Sequence, residues 1–299
     1  MNTINKPNFM IVGAMKAATT SLYSYLKQHP DIFMPEIKEP KFFNNLAKDQ
    51  SFKLEGKGLK KITTFQQYYS LFKNAKNQTA IGEASPSYLF DKECASLIHT
   101  HLPKVKIIIV LRQPIDRAYS HFLHAKRADK ERISSFELAF TEKERREKKK
   151  RTPHYYKEKG YYTEQVKRYY ELFPEENIKI ILFEELTNSP TKVSQEIFQF
   201  LNIDSSFCPN TKKKENVSGV PKGIFGWAIM KLRYYNLMPD IQFSKYLPGF
   251  IIDLISKLAY KKKKPLKKSL RHEFTHRFYK DDILQLQKII NKDLKNWLS

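Results

Sequence analysis

Apolar positions in this chain come in short runs, and each run is followed by a stretch in which apolar and polar residues alternate with a helical period. Runs rich in β-branched residues occupy Phe9–Val12, Thr79–Gly82, Lys106–Leu111 and Ile178–Phe183. Runs of this kind, too short for helices, predict strands buried on both faces. Lys106–Leu111 (KIIIVL) is apolar after its first residue and predicts a central strand. Helical spacing of apolar residues predicts helices over Thr19–Lys27, Pro114 to about Lys126, Thr163–Leu172, Pro190–Leu201 and Asp281–Leu298. Pro114 and Pro190 stand in first turns, where the missing N–H breaks no helical bond. Strand alternating with helix is the mark of a mainly parallel central sheet flanked by helices, a three-layer α/β fold.

Two regions break this rhythm. Residues 141–159 (TEKERREKKKRTPHYYKEK) are charged and aperiodic, which predicts a solvated helix end or loop. Residues 224–260 are apolar and aromatic without a sustained period, and KKKKPLKKSLR (residues 261–271) then places seven basic residues in one short run. We read the 299 residues as one domain, with 224–270 a helical and basic insertion inside it.

Composition adds four constraints. A hydrophobic content of 41% suits a globular core, and no run reaches the roughly 18 apolar residues that a membrane-spanning helix needs. The first eight residues, MNTINKPN, are polar, so the expected location is the cytoplasm. Cys94 and Cys208 are too few for a disulfide framework and lack metal-ligand spacing, which leaves them as small buried residues. The net charge of +23 points to an anionic partner, substrate or surface. Nucleic acid, acidic lipid, acidic polysaccharide and phosphorylated small molecules all satisfy it.

The sharpest chemical signal lies between the first strand and the first helix. Phe9–Val12 ends at Gly13, and GAMKAATTSL (residues 13–22) leads into the helical pattern. A strand feeding a helix N-terminus presents unpaired N–H groups and the positive end of the helix dipole. Met15, Lys16, Ala17, Ala18, Thr19, Thr20 and Ser21 therefore form a P-loop-like turn suited to a tetrahedral anion, phosphate or sulfate. The spacing departs from G-x-x-x-x-G-K-[ST], because Lys16 follows Gly13 by three residues and two alanines precede Thr19. An ordinary strand-to-helix turn has similar letters.

A second candidate anion site is LRQPIDRAYSHFLH (residues 111–124). Arg112 leaves the predicted central strand at its C-terminal end, where open α/β sheets bind ligands, and Ser120 lies on the following helix. A guanidinium fork and a hydroxyl suit a second dianion, although arginines after strands also cap helices or pair with acids.

Together these segments resemble the two signature segments of sulfotransferases that use 3′-phosphoadenosine 5′-phosphosulfate (PAPS), in the branch containing the heparan-sulfate and related bacterial enzymes. EIKEPKFF (residues 36–43) resembles that family's K-E-P-x-F-F stretch, and GEASPSYLF (residues 82–90) the segment after its second strand. KGYYTEQVKRYYELFP with IKIILFEEL (residues 159–174 and 178–186) is similar to a family helix and strand, and FYKDDILQLQKIINKDLKNWL (residues 278–298) to its terminal helix. The likeness runs from about residue 9 to 201 and resumes near 270. It implies PAPS as donor, PAP as product and no metal. It also implies that Met15–Ser21 hold the 5′-phosphosulfate, that Arg112 and Ser120 hold the 3′-phosphate, and that Lys222, in NVSGVPKG (residues 216–223), lies near that phosphate. Ala18 stands where the family usually has glycine, which sets a methyl group against the bound phosphosulfate.

The implied reaction is an in-line displacement in which Lys16 stabilises charge on the leaving oxygen. Glu39 is the implied base, and burial among Pro40, Phe42 and Phe43 is expected to raise its pKa. His29, in a turn before proline, is a rival base of a kind more often structural, and His121 and His124 are not spaced to share a metal. The expected acceptor is a hydroxyl or amine of a glycan, lipid-linked glycan or small molecule. Phe225, Trp227, Tyr234, Tyr235, Phe243, Tyr246 and Phe250 line its pocket or else pack a helical subdomain. An apolar segment followed by Lys261–Lys264 has the composition of a peripheral anchor at an anionic inner membrane face. Two other readings stay open. A P-loop kinase needs ATP, Mg²⁺ and an acidic residue closing a second apolar strand, where this chain has Arg112. A nucleic-acid-binding protein is disfavoured, because the basic residues are not interleaved with aromatics in a recognisable module.

Overall fold

The computed structural model describes residues 5–47, 62–128, 130–141, 154–212, 219–221, 260–262 and 265–299. Five strands form the main sheet: β1 (Phe9–Gly13), β2 (Ile32–Phe33), β3 (Ala80–Ala84), β4 (Lys106–Leu111) and β5 (Ile178–Leu182). Their order is β2-β3-β1-β4-β5 and every pairing is parallel. Helix α1 (Thr19–Leu26) follows β1, and α2 (Phe42–Leu46) and α3 (Phe65–Ser70) lie between β2 and β3. Between β3 and β4 comes α4 (Cys94–His101), and between β4 and β5 come α5 (Pro114–Arg127), α6 (Phe136–Thr141) and α7 (Tyr162–Tyr170). Beyond β5 lie α8 (Phe183–Asn188) and α9 (Pro190–Phe200), a short antiparallel pair β6 (Gly219–Pro221) and β7 (Tyr260–Lys262), and then α10 (Lys268–Phe278), α11 (Lys280–Ile290) and α12 (Lys295–Leu298). The α/β class and the mainly parallel, helix-flanked sheet are those the sequence predicts.

β1 and β4 are apolar because both faces of each are covered. All five residues of β1 are buried, and the β4 residues Ile107–Leu111 have no exposed surface. Pairing of β1 with β3 on one side and β4 on the other puts β1 at the centre. The chain leaves β1 toward β2 and β3 but leaves β4 toward β5, so the connections part above the β1 and β4 ends. That parting is where doubly wound sheets open a crevice.

Three expectations need correction. The predicted helix Asp281–Leu298 is broken at Asn291, whose left-handed backbone (φ 49°) ends α11 and turns α12 back so that Trp297 is buried. Asparagine tolerates that conformation better than most residues, which is why helices end on it. The charged stretch 141–159 is not solvated at its C-terminal end, because His154, Tyr156 and Lys159 are buried. The Lys159 ammonium there donates to the His154 carbonyl at 3.1 Å and sits over the Phe90 ring at 5.5 Å, so a charged letter serves a packed position. Cys94 is buried as expected, but Cys208 is exposed in the segment after α9, and the two-residue strand β2 is too short to leave a sequence pattern. Residues 222–259 lie outside the described residues, and with them Lys222 and the aromatic side chains expected there. Among the described residues no helix is long and apolar enough to cross a membrane.

Candidate active site

The loop after β1 is built by the main chain. Ala14 N–H donates to the Val110 carbonyl at 2.7 Å and Leu89 N–H to the Val12 carbonyl at 2.8 Å, which fixes the loop between β4 and the segment after β3. Gly13 is needed for that approach: a Cβ there would lie 2.4 Å from Leu89 Cδ2. Lys16 and Ala18 then adopt left-handed backbone, with φ 70° and 64°. Ala18 is the N-cap of α1 and offers no side-chain acceptor, and the first intrahelical bond runs from Leu22 N–H to the Ala18 carbonyl. The first-turn N–H groups of Thr19, Thr20 and Ser21 thus precede the helical ladder, the arrangement that binds anions. Ala17 differs from its neighbours: its side chain is fully buried and its N–H goes to the Ala14 carbonyl at 3.2 Å. Met15, Lys16, Thr20 and Ser21 are half-buried at the loop surface, and Thr19 is buried.

Arg112, at the end of β4, reaches across to this loop. Its Nη1 donates to the Lys16 carbonyl at 3.1 Å, and its guanidinium lies over the Phe183 ring at 4.2 Å. The Tyr162 hydroxyl, at the start of α7, donates to the Arg112 carbonyl at 2.9 Å. Three elements therefore fix one arginine beside the loop, while Ser120 is half-buried on α5. The adjacency of β1 and β4 brings the two candidate anion sites together at one end of the sheet.

The third component is the turn between β2 and α2. Glu39 and Lys41 have φ 59° and 53° on either side of the buried Pro40, and Glu39 N–H donates to the Ala84 carbonyl at 3.1 Å. The Glu39 carboxylate pairs with Lys38 at 2.8 Å and Lys41 at 3.8 Å. Here the sequence expectation is reversed. Burial does push the Glu39 carboxyl up, but the charge and hydrogen bond of Lys38 and the charges of Lys41 and Lys16 outweigh it and hold the pKa below the usual carboxylate range. Lys16 is perturbed the other way. Burial, then the charge of Arg127, with Arg112 and Lys38 adding and Glu39 opposing, lowers its pKa to about 8.

His124, near the end of α5, belongs to the same field. The residue is exposed, yet desolvation of the covered part of its ring, then the charges of Lys16, Arg127 and Lys130, lower its pKa, and the imidazole is neutral at neutral pH. Its spacing from His121 is uninformative; what links it to the site is that it feels the charges of Lys16 and Glu39. His29 has a structural role. It is buried against Phe198 at 4.5 Å, its Nε2 lies 2.8 Å from the Asp204 carbonyl, and its Nδ1 accepts from Asp31 N–H at 3.1 Å. The sequence reading passed over Glu83, a carboxylate with no exposed surface near the end of β3. Its signal was an acidic residue inside the strand AIGEA.

This arrangement has known counterparts. The family model for the sulfotransferase domain matches residues 6–222. A crystal structure of a sulfotransferase from Alicyclobacillus acidocaldarius is 30% identical, with a TM-score of 0.74 over 99% of this chain and 100% of that one. Bifunctional heparan sulfate N-deacetylase/N-sulfotransferase 3 of Homo sapiens is 24% identical over 311 residues, which cover 98% of this chain and 31% of the human protein. Membrane-associated sulfotransferase kil1 of Dictyostelium discoideum is 34% identical over 116 residues, 39% of this chain and 22% of its own. The chain thus spans well under half the length of these curated relatives. On the family match over most of its length, and on the fold shared with the bacterial structure, the chain belongs to the sulfotransferase family.

Proposed function

We infer that this protein transfers a sulfuryl group from PAPS to a hydroxyl or amine of a glycan. The observation that supports the donor most is the hydrogen bond from Arg112 to the Lys16 carbonyl, because it makes neighbours of the groups proposed for the two charged ends of one nucleotide. The uncapped first turn of α1 offers Thr19, Thr20 and Ser21 to the 5′-phosphosulfate, and Arg112 with Ser120 offers a fork and a hydroxyl to the 3′-phosphate. Met15, Ala17 and Ala18 shape the loop that carries these groups, and Lys222 contributes from the segment beyond β6.

PAPS supplies the sulfuryl group and a phosphate leaving group. In this reading the Lys16 cation stabilises charge growing on the leaving oxygen. Glu39 takes the proton that the acceptor loses as its new bond to sulfur forms. Because the lysines around it hold Glu39 ionised, it is ready to accept that proton over the neutral range, at the cost of being a weaker base. Neutral His124 is a second polar group available to the acceptor.

The acceptor reading rests on charge. Lys38, Lys41, Arg127 and Lys130 crowd around Lys16, Glu39 and His124, and an anionic glycan satisfies that excess. Relatives named as a heparan sulfate N-sulfotransferase and as carbohydrate sulfotransferase 15 support the same class. Peripheral contact with an anionic membrane through Lys261–Lys264, on the cytoplasmic side, belongs to the same reading. Binding to anionic liposomes that is unchanged after those lysines are neutralised removes it.

Calorimetric titration of PAP into wild type and Arg112→Ala tests the donor. The expected result is metal-independent PAP binding that the substitution weakens by at least about thirtyfold, or 2 kcal/mol. Tighter binding of ATP with Mg²⁺ than of PAP turns the assignment to the kinase reading.

A further inference from the structure

Glu83 poses a physical problem that the reaction above does not use. A carboxylate with no exposed surface is costly unless its oxygens are satisfied. Burial raises its pKa to about 7, with hydrogen bonds from Ser85, Tyr88 and Tyr68 opposing the rise. Those partners are hydroxyls, and they are where the residue leads. Glu83 Oε2 accepts from Ser85 Oγ at 2.8 Å, and Oε1 accepts from the Tyr88 hydroxyl at 2.8 Å and the Tyr68 hydroxyl at 3.2 Å.

Two of the three hydroxyls then accept, one from the Glu39 turn and one from the first turn of α2 that it feeds. Ser85 Oγ takes the Lys41 N–H at 3.1 Å, and the Tyr88 oxygen takes the Phe43 N–H at 3.5 Å. Ser85 is itself fixed to the centre of the sheet, its N–H donating to the Ile11 carbonyl at 3.1 Å. The turn needs such support. Non-glycine residues in left-handed backbone are disfavoured, Glu39 and Lys41 are both in that state, and Pro40 between them lacks an N–H to hold the turn. A conformation of this kind persists only when its surroundings over-determine it.

We propose that Glu83 is the positioning residue for Glu39: through Ser85 and Tyr88 it holds the left-handed Glu39–Lys41 turn that presents the Glu39 carboxylate beside Lys16. The carboxylate is suited to this as an amide is not. In its ionised form, which a pKa of about 7 makes the major one above neutral pH, both of its oxygens accept, so the Ser85 and Tyr88 hydroxyls direct their hydrogens inward and turn lone pairs toward the Lys41 and Phe43 amides. A glutamine at this position offers one acceptor and an NH₂ group, which competes with those amides for the hydroxyl oxygens.

The proposal rests on Glu39 being the base, and the test separates the two. Turnover of PAPS with an N-deacetylated heparan oligosaccharide is measured for wild type, Glu83→Gln, Ser85→Ala, Glu39→Gln and the double variant Glu39→Gln/Glu83→Gln, beside PAP affinity and amide hydrogen exchange at Lys41 and Phe43. Ser85→Ala breaks the link to Lys41 while leaving both phenols on Glu83, so it reports even if Glu83→Gln folds poorly. Expected are a ten- to hundredfold loss of kcat in both single variants, with PAP affinity within about threefold of wild type, and faster exchange at Lys41 and Phe43. In the Glu39→Gln background, Glu83→Gln adds no further loss. Unchanged kcat with Glu39→Gln already slow, a loss of PAP affinity as large as the loss of kcat, or losses that multiply in the double variant each overturn the proposal. Wild-type kcat in Glu39→Gln removes the base instead. If the oligosaccharide is not sulfated, the acceptor reading fails, and the exchange arm alone decides: unaltered protection at Lys41 in both hub variants overturns the role given to Glu83.

Discussion

The loop after β1 and the Glu39 turn lie beside each other, and each forces two non-glycine residues into left-handed backbone: Lys16 and Ala18 in one, Glu39 and Lys41 in the other. They are held by different mixtures of main-chain and side-chain bonds. The loop is clamped by main-chain hydrogen bonds from its strand neighbours, by Leu89 packed on Gly13 and by the Arg112 fork on a carbonyl. The turn has one main-chain bond, from Glu39 N–H to the Ala84 carbonyl, and otherwise hangs from the buried side-chain polar groups Glu83, Ser85 and Tyr88, with Asn44 pinning α2 through Ser87 at 2.6 Å and Asp91 at 2.8 Å. An anion site made of N–H groups needs only correct backbone, whereas a carboxylate that exchanges a proton must be aimed. Damage to the loop's backbone should therefore appear in donor binding and stability, and damage to the turn in turnover, with the Lys16 side chain the one part of the loop that acts in turnover.

The largest effect expected is that of Lys16→Ala. If this cation stabilises the leaving oxygen, kcat falls by about 10² to 10³, or roughly 3 to 4 kcal/mol, while PAP affinity falls far less. Single-turnover measurements with PAPS separate the two. A loss confined to affinity would make Lys16 a donor ligand only and leave the whole loop, side chain included, on the binding side of the contrast. Gly13→Ala comes next. Its Cβ would meet Leu89 Cδ2 at 2.4 Å and Leu89 Cβ at 2.5 Å, and relief requires moving either the loop or the segment after β3. Overpacking of this kind costs about 2 kcal/mol, seen as a Tm several degrees lower together with weaker PAP binding. A stable Gly13→Ala with normal affinity shows that the loop is less tightly clamped than its hydrogen bonds indicate.

The same contrast explains what the sequence makes legible. The loop is local: strand, glycine, lysine and helix start follow one another in ten residues, and KIIIVL ending in Arg112 marks the neighbouring strand end. Parallel pairing of two apolar runs is enough to bring them together. The turn is not local. Its anchor, Glu83, comes from β3, forty-four residues after Glu39, and nothing in the letters GEASPS tells that all three hydroxyls on Glu83 point inward. The sign of the Glu39 shift was hidden for the same reason. Neighbouring phenylalanines announce burial, but whether Lys38 and Lys41 fold onto the carboxylate depends on the left-handed backbone of Glu39 and Lys41. The buried Lys159 and the break at Asn291 are of this kind too, since tertiary packing decides what a charged or polar letter does.

Proton linkage gives a smaller and sharper test. The free protein holds the Lys16 pKa at about 8, well below the ordinary lysine value, because burial and nearby cations penalise the charge. A bound dianion favours the charged form and moves the pKa back up. Above pH 8 the free lysine is largely neutral, so binding must take up a proton, and PAP affinity falls toward tenfold per pH unit until the pKa of the bound state is reached. Below pH 8 the lysine is charged in both states and this dependence vanishes. Calorimetry at pH 8.5 in two buffers of different ionisation heat counts the proton, and Lys16→Met should abolish the uptake. Glu39 contributes nothing in this window, because its pKa is shifted below the carboxylate range.

The smallest effect separates two physical accounts of one position. Ala18 stands where the family usually has glycine, and the expectation from sequence is a methyl group crowding the phosphosulfate. The structure supplies a different reason for glycine: Ala18 has φ 64°, a conformation glycine adopts freely and alanine does not. Release of that strain, partly offset by the greater freedom of glycine in the unfolded chain, makes Ala18→Gly stabilising by up to about 1 kcal/mol. Thermal unfolding of the free protein should then shift upward by a few degrees while PAP affinity stays put. Under the crowding account the order is reversed, with tighter PAP binding and an unchanged or lower Tm. Only the first outcome keeps the donor loop as a backbone-built site whose strain is carried by the fold before any nucleotide arrives.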